Sequence, residues 1–231
     1  MGTLTLTQLK TEVRSALGNR TDLDDRLTIM LNLAQMRIAR RNRWEELETL
    51  NTDNLTYNND DDDRFLAKPA NTRDIHSFVL LDGANSRKLK RRSPRMWDAI
   101  VAKPEYFSRG RPSHYVLYRE IIELFRMPDS AYSVRLRISL WPTSFSDSSP
   151  TATSDLDHKD DMLIALSNSY AFSTLGDTER AGRWWVIYSN MLKDALREEE
   201  QEADLDRLPE AEMRAEVMQG EPWLDPFARS S

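Results

Sequence analysis

The chain has 231 residues, enough for one large or two small domains with real cores. Its 39% hydrophobic and 30% charged residues leave a sizeable share for surface, loop or tail, and its net charge is -6. It has no cysteine, which excludes a disulfide framework, a thiolate metal site and a cysteine nucleophile, and its three histidines (His76, His114, His158) share no metal-binding spacing.

The first residues carry neither a basic region nor an apolar run, so no secretion signal is expected, and no stretch reaches the ~18 apolar residues of a bilayer span. The expectation is a soluble chain made in the cytoplasm with no membrane partner. Thr7 to Leu17 reads as a short amphipathic helix, with Leu9, Val13, Ala16 and Leu17 on one face and Gly18-Asn19 as its stop. A second helix is predicted from Asp22, capped by Thr21 or Asp22. Leu23, Leu27, Met30, Leu31, Ala34 and Ile38 form its stripe, and it runs to about Trp44 or Leu47.

The period then changes. Asn51-Thr52-Asp53-Asn54 and Asn58-Asn59-Asp60 are turn chemistry. Strand-like runs follow at Leu55–Tyr57, Arg64–Leu66, Ile75–Leu81, Tyr115–Tyr118, Ile121–Arg126 and Val134–Trp141, with Arg119-Glu120 as a hairpin turn. The last run alternates, predicting Val134, Leu136, Ile138 and Leu140 inward and Arg135, Arg137 and Ser139 outward. Ser93 to Val101 reads as a short helix, capped by Ser93 with Pro94 first. Gly110 is expected to supply a backbone angle closed to other residues, with Pro112 setting Tyr115 into its strand.

Ser144 to Ser154 is Ser/Thr/Pro-rich and reads as a linker. Helix returns near Asp157 and ends at Gly176-Asp177. A last helix starts at Asp177 or Thr178, carries Ala181, Trp184, Trp185, Tyr188, Met191, Leu192 and Ala195 inward, and dissolves past Leu196. From Lys193 onward there are twelve acidic residues against five basic ones, so the acidity of the chain is concentrated in a separate tail. The resulting fold class is α+β: a four-helix bundle with an inserted small antiparallel β-sheet or sandwich domain and an extended C-terminal tail. The expected boundaries are 1–48 with 155–202 for the bundle, 49–145 for the insertion, 146–154 for the linker and 203–231 for the tail.

The motifs of catalysis are missing. There is no nucleophile elbow, no phosphate-binding glycine loop and no dinucleotide fingerprint, and glycine is scarce at seven residues. No enzyme activity, metal or cofactor is expected. Asp60 to Asp63 lacks the alternation and glycine of a calcium loop and reads as a solvated turn. Arg87, Lys88, Lys90, Arg91, Arg92 and Arg95 form the strongest basic cluster. It suits nucleic-acid phosphates, an acidic protein partner, or plain solvation. One Trp of the adjacent pair Trp184 and Trp185 must point partly outward, making it the candidate for a subunit interface. Trp223, Leu224, Pro226 and Phe227 make a short anchor in the acidic tail, because large apolar residues in such a segment are costly unless they dock.

Three stretches carry a resemblance: NLAQMRIARRNRWEEL (Asn32 to Leu47), FLAKPANTRDIHSFVLLDG (Phe65 to Gly83) and RGRPSHYVLYREIIELFRMPDSAYSVRLRISLWPTSF (Arg109 to Phe145). In this order and spacing, between two helix pairs, the chain resembles the head-to-tail adaptor (connector, or head-completion) proteins of tailed bacteriophages over roughly residues 4 to 200. The resemblance implies a virion protein of the neck. It implies a homo-oligomeric ring, typically of about twelve subunits, beneath the portal, with helices around a DNA channel. The C-terminal segment would reach the portal, and tail or neck proteins would bind below. The other reading left by the residues is a basic-patch nucleic-acid-binding module.

Overall fold

The computed structural model describes residues 2–58, 61–100 and 109–205. Among these lie five α-helices and two four-stranded sheets, so the fold is α+β. Helix α1 spans Leu6–Ala16 and opens on a capping box, in which the Thr5 hydroxyl and the Gln8 side chain each take the other's backbone N–H. It closes on Gly18 and Asn19, both at positive φ, as the sequence predicts.

Helix α2 spans Asp24–Arg41. Neither Thr21 nor Asp22 caps it; the N-cap is Leu23, without a side-chain bond. It also stops short of Trp44, and the reason is side-chain capping of its last carbonyls. Trp44 Nε1 donates to Ile38 O at 2.8 Å, and Arg73 Nη1 donates to the carbonyls of Ala39 and Asn42. These bonds satisfy the helix end while the chain turns through Glu45–Leu47 into strand.

The strands are β1 (Glu48–Leu55), β2 (Phe65–Ala67), β3 (Thr72–Leu81), β4 (Arg87–Lys88), β5 (Lys90–Arg92), β6 (His114–Leu117), β7 (Ile121–Phe125) and β8 (Tyr132–Leu140). Helix α3 (Pro94–Ile100) sits between β5 and β6, with Ser93 Oγ accepting from Met96 N at 3.3 Å. The sheet orders are β1-β8-β3-β4 and β2-β7-β6-β5. Both sheets feed one core, in which Phe78 of β3 meets Tyr115 of β6 with ring centroids 5.1 Å apart. The turn-rich Asn51–Asn54 is thus the middle of β1, paired residue for residue with Leu136 to Ser133. The insertion is not wholly antiparallel either: β5 and β6 pair in parallel, which a tight turn could not connect.

Strand β8 alternates as expected through Arg137, but Ser139 is buried. Its hydroxyl is bonded to His76 Nε2, which removes the cost of burying it. Gly110 has no positive φ. A Cβ there would meet only the Arg126 side chain, 3.2 Å from Cδ and 3.3 Å from Nη1, a tight contact that the exposed arginine can relieve. Asp63 is not solvated. It is buried and accepts from Asn58 N–H and Arg109 Nη1, both at 2.8 Å.

Helix α4 (Asp160–Thr174) packs against α1, α2 and α5. Its first residue, Asp160, accepts from Thr3 N, Thr3 Oγ1 and Leu4 N at 2.6–2.9 Å, which ties the N-terminal segment down. The 146–154 connection is pinned as well. Leu6 N and Thr7 N bond to Ala152 O and Pro150 O, and Asp147 takes Lys10 Nζ and Thr28 Oγ1. Helix α5 spans Thr178–Leu205, with Arg180 N on Asp177 Oδ1 at its start, and runs nine residues beyond the predicted end at Leu196. Glutamates are good helix formers, so the acidic run extends the helix.

Candidate functional site

The basic cluster lies along one edge of the sandwich. Leu89 between β4 and β5 is buried in the core, and this fixes its neighbours outward. Arg91 pairs with Asp74 at 2.7 Å, and Arg92 Nη2 lies 3.3 Å from His114 Nε2. Arg87, Lys88, Lys90 and Arg95 are exposed, with no acidic partner among the described residues. His114 reports their field: burial first, then Arg92, Lys90 and Arg87, push its pKa below the ordinary histidine value.

Trp184 and Trp185 are both half-buried against the helical core. Trp185 meets Tyr188 with centroids 5.4 Å apart and planes tilted by 50°, and the Arg37 guanidinium lies 4.5 Å from its ring centroid. Side chains from α2 and α5 therefore meet at Trp185. The bare apolar surface is next to the tryptophans: Val186 and Ile187 are 56% and 41% exposed. On α2, Ile29 and Leu33 are 59% and 56% exposed. These four residues were not singled out in the sequence, yet a signal was there. Ile29 and Leu33 lie off the Leu27–Met30–Leu31–Ala34–Ile38 stripe, so they are apolar residues on the face turned from the core. A groove beside Leu33 is lined by Met36, Arg37, Arg40, Arg41 and Tyr170. The tail anchor Trp223, Leu224, Pro226 and Phe227 lies outside the described residues.

The chemistry available elsewhere is limited. A cleft of about 580 Å³ beside Trp44 is lined by carboxylates such as Glu45, Glu46 and Glu198, with His158 and Lys159, and by no hydroxyl among the described residues. His76 is pushed below its ordinary pKa, by burial first and then Arg43, and its ring is engaged by Ser139. Among the described residues no three His, Asp or Glu gather to hold a metal ion, and no helix is long and apolar enough to cross a membrane.

Among the described residues, helices flank a two-sheet insertion and carry exposed apolar faces beside a basic edge, with no catalytic constellation in view, a layout suited to a structural adaptor. The chain belongs to the SU10 adaptor protein family, whose model matches residues 4–213. This is the phage head-to-tail adaptor family that the three sequence stretches resemble, and as a phage structural adaptor the protein is a virion component. A search of curated proteins found no match.

Proposed function

We propose that the protein is the ring-forming neck subunit that joins a phage portal to the tail, with DNA passing through its lumen. The observation that carries this reading is the family match across residues 4–213, which includes both helix pairs and the whole insertion. The helical unit builds the ring, of about twelve copies as the family resemblance implies, and many weak tail contacts add through avidity. The segment holding Trp223, Leu224, Pro226 and Phe227 docks on the portal. The chain is made in the host cytoplasm and carries no catalytic role or cofactor.

The test is co-purification of the full chain with its portal, with the mass of the complex measured. A closed ring on the portal is expected, and deleting residues 222–231 should abolish it while leaving the fold intact. Assembly that survives the deletion rules out the docking role of the tail. A chain that never associates with portal or with itself rules out the adaptor ring. One observation favours a second reading: Arg87, Lys88, Lys90 and Arg95 have no acidic partner among the described residues and could meet DNA phosphates. DNA binding by the monomer that falls steeply with salt would support that module.

A further inference from the structure

The two sheets part at the basic edge. There a pocket of about 410 Å³ has a floor of Ile75, Phe78 and Leu89, all buried, and a rim of Lys88, Lys90 and Arg91, all exposed. Leu89 is held in the floor by its N–H, which donates to Phe78 O at 2.8 Å, so Lys88 and Lys90 flank it on the outside. Asp74 engages Arg91 at 2.7 Å. This leaves Lys88 and Lys90 as rim cations without a carboxylate partner among the described residues. His76 on the same wall is bonded to Ser139 and held below its ordinary pKa, by burial first and then by Arg43, so it adds no charge at neutral pH.

An apolar floor beneath a cationic rim selects its ligand. A nucleic-acid backbone would use the lysines and leave the floor bare. A peptide with aromatic or aliphatic side chains beside carboxylates uses both. Such a segment exists in this chain. Between Arg214 and Arg229 lie Glu216, Glu221 and Asp225 with no lysine or arginine, together with Trp223, Leu224 and Phe227. The segment also reaches. Helix α5 passes the start of β3, since the Asn42 amide donates to the Glu199 carboxylate and Arg73 Nη1 donates to Asn42 O at 2.8 Å. From Glu199 to Leu205 is about 9 Å of helix, and from Arg73 to Phe78 is about 17 Å of strand. Trp223 follows Leu205 by 18 residues, which span up to ~60 Å when extended.

We propose that Trp223, Leu224 and Phe227 dock in this pocket of their own chain, with Glu221 and Asp225 facing Lys88 and Lys90. Pro222 and Pro226 restrict the free segment, which lowers the ordering cost of docking. The tether keeps the anchor at an effective concentration of about 1 mM, so a contact too weak to hold a separate peptide holds this one. The inference goes beyond the portal reading and rests on the same anchor. It gives the anchor a seat in a subunit that has not met its portal. The portal then competes with the pocket, and the apolar anchor stays covered until it does.

The test uses the full-length chain, which has no native cysteine. Lys90→Cys with Asp225→Cys is oxidised at low protein concentration. The control pair is Thr52→Cys with Asp225→Cys, since Thr52 is exposed on β1 at the opposite edge of its sheet from β4. Circular dichroism checks that folding is kept. The expected result is a disulfide within the chain, formed about ten-fold faster than in the control and identified by the mass of the linked peptides. Lys88→Glu, and separately Trp223→Ala with Phe227→Ala, should each slow it several-fold. A rate no faster than the control, or one that neither set of substitutions changes, would overturn the proposal. So would no excess over the control together with DNA binding that Lys88→Glu abolishes, which assigns the rim to nucleic acid. A disulfide between chains instead of within one would overturn it and give the pocket to a second copy. The portal separates the two readings. The oxidised Lys90→Cys, Asp225→Cys chain should fail to co-purify with the portal and recover on reduction. An oxidised chain that binds as well as the reduced one would leave the pocket standing and remove the portal role of the tail. A chain that needs residues 222–231 for the portal yet never forms the disulfide would overturn the pocket and leave the portal role standing.

Discussion

Replacing Trp44 by alanine removes the side chain that closes α2 and seats the helical unit on the first strand. Trp44 is 1% exposed and packs with Ile38, Leu47, Leu156 and Met162. Truncating a buried Trp costs about 3–5 kcal/mol. Within that total, the lost indole N–H leaves the Ile38 carbonyl at the helix end without its 2.8 Å donor, worth about 1–3 kcal/mol when a buried acceptor is orphaned. The Lys159 ammonium 4.3 Å from the ring centroid adds about 0.5–2 kcal/mol. For a chain of this size each kcal/mol moves the midpoint by about 2–4 °C, so Trp44→Ala should lower Tm by about 6–20 °C. Trp44→Phe keeps much of the packing and the ring face but not the donor, and should lose roughly a third as much. Thermal melts followed at a helix wavelength decide it. A Trp44→Ala protein melting within about 2 °C of the parent would refute the account of how α2 ends, as would a Trp44→Phe protein as unstable as the alanine variant.

Gly110→Ala should leave stability within about 0.5 kcal/mol in urea unfolding, because the added methyl meets only the outer atoms of the exposed Arg126 side chain, which can swing aside; a loss of several kcal/mol would contradict this. Asp147 is held below the usual carboxylate pKa, by the bond from Lys10 first and then by Thr28. Its contribution is therefore present above the unfolded-state pKa and lost as pH falls through the lower folded value. The Tm gap between the parent and Asp147→Asn should be open at neutral pH and close on acidification, and a gap that widens in acid would contradict this. Asn168 is fully buried in α4, with neither amide atom bonded, whereas Leu166 beside it is fully buried and apolar. Asn168→Ala should cost far less than the about 2–5 kcal/mol of Leu166→Ala in the same melts. Converting Arg87, Lys88 and Lys90 to glutamate should leave stability within about 0.5 kcal/mol, since all three are exposed, while abolishing any salt-sensitive association with DNA.

The helices and most strands were legible because their signals are local. The apolar periods of α1, α2 and α5, the Ser93-Pro94 start of α3 and the alternation of β8 each sit within one segment. Most of the misses depend on partners distant in sequence; the length of α5 does not, since its acidic run is itself helix-forming. Asn51 to Asn54 have turn propensity, but eight paired positions with β8 outweigh it. The end of α2 is set partly by Arg73, more than thirty residues away. Ser139 reads as an outward residue until His76 is known to lie beside it. Gly110 reads as a special backbone angle, yet it has no positive φ and its one close neighbour is the Arg126 side chain. For the candidate surfaces, the charge of the Arg87–Arg95 cluster was plain. The α2 and α5 faces were not, because two exposed aliphatics on a helix stand out only once the opposite face is known to be buried.

The pairing of β1 with β8 has a mechanical consequence. These strands are the two connections between the helical unit and the sandwich, and Glu48 lies opposite Ser139, so both leave the helices side by side. A pull on the sandwich away from the helices is shared by two adjacent, mutually bonded strands under equal tension. Neither strand is drawn past the other, so the ladder between them is spared shear. Any load between sandwich and helices is thus carried by a doubled tether and not by a single covalent thread.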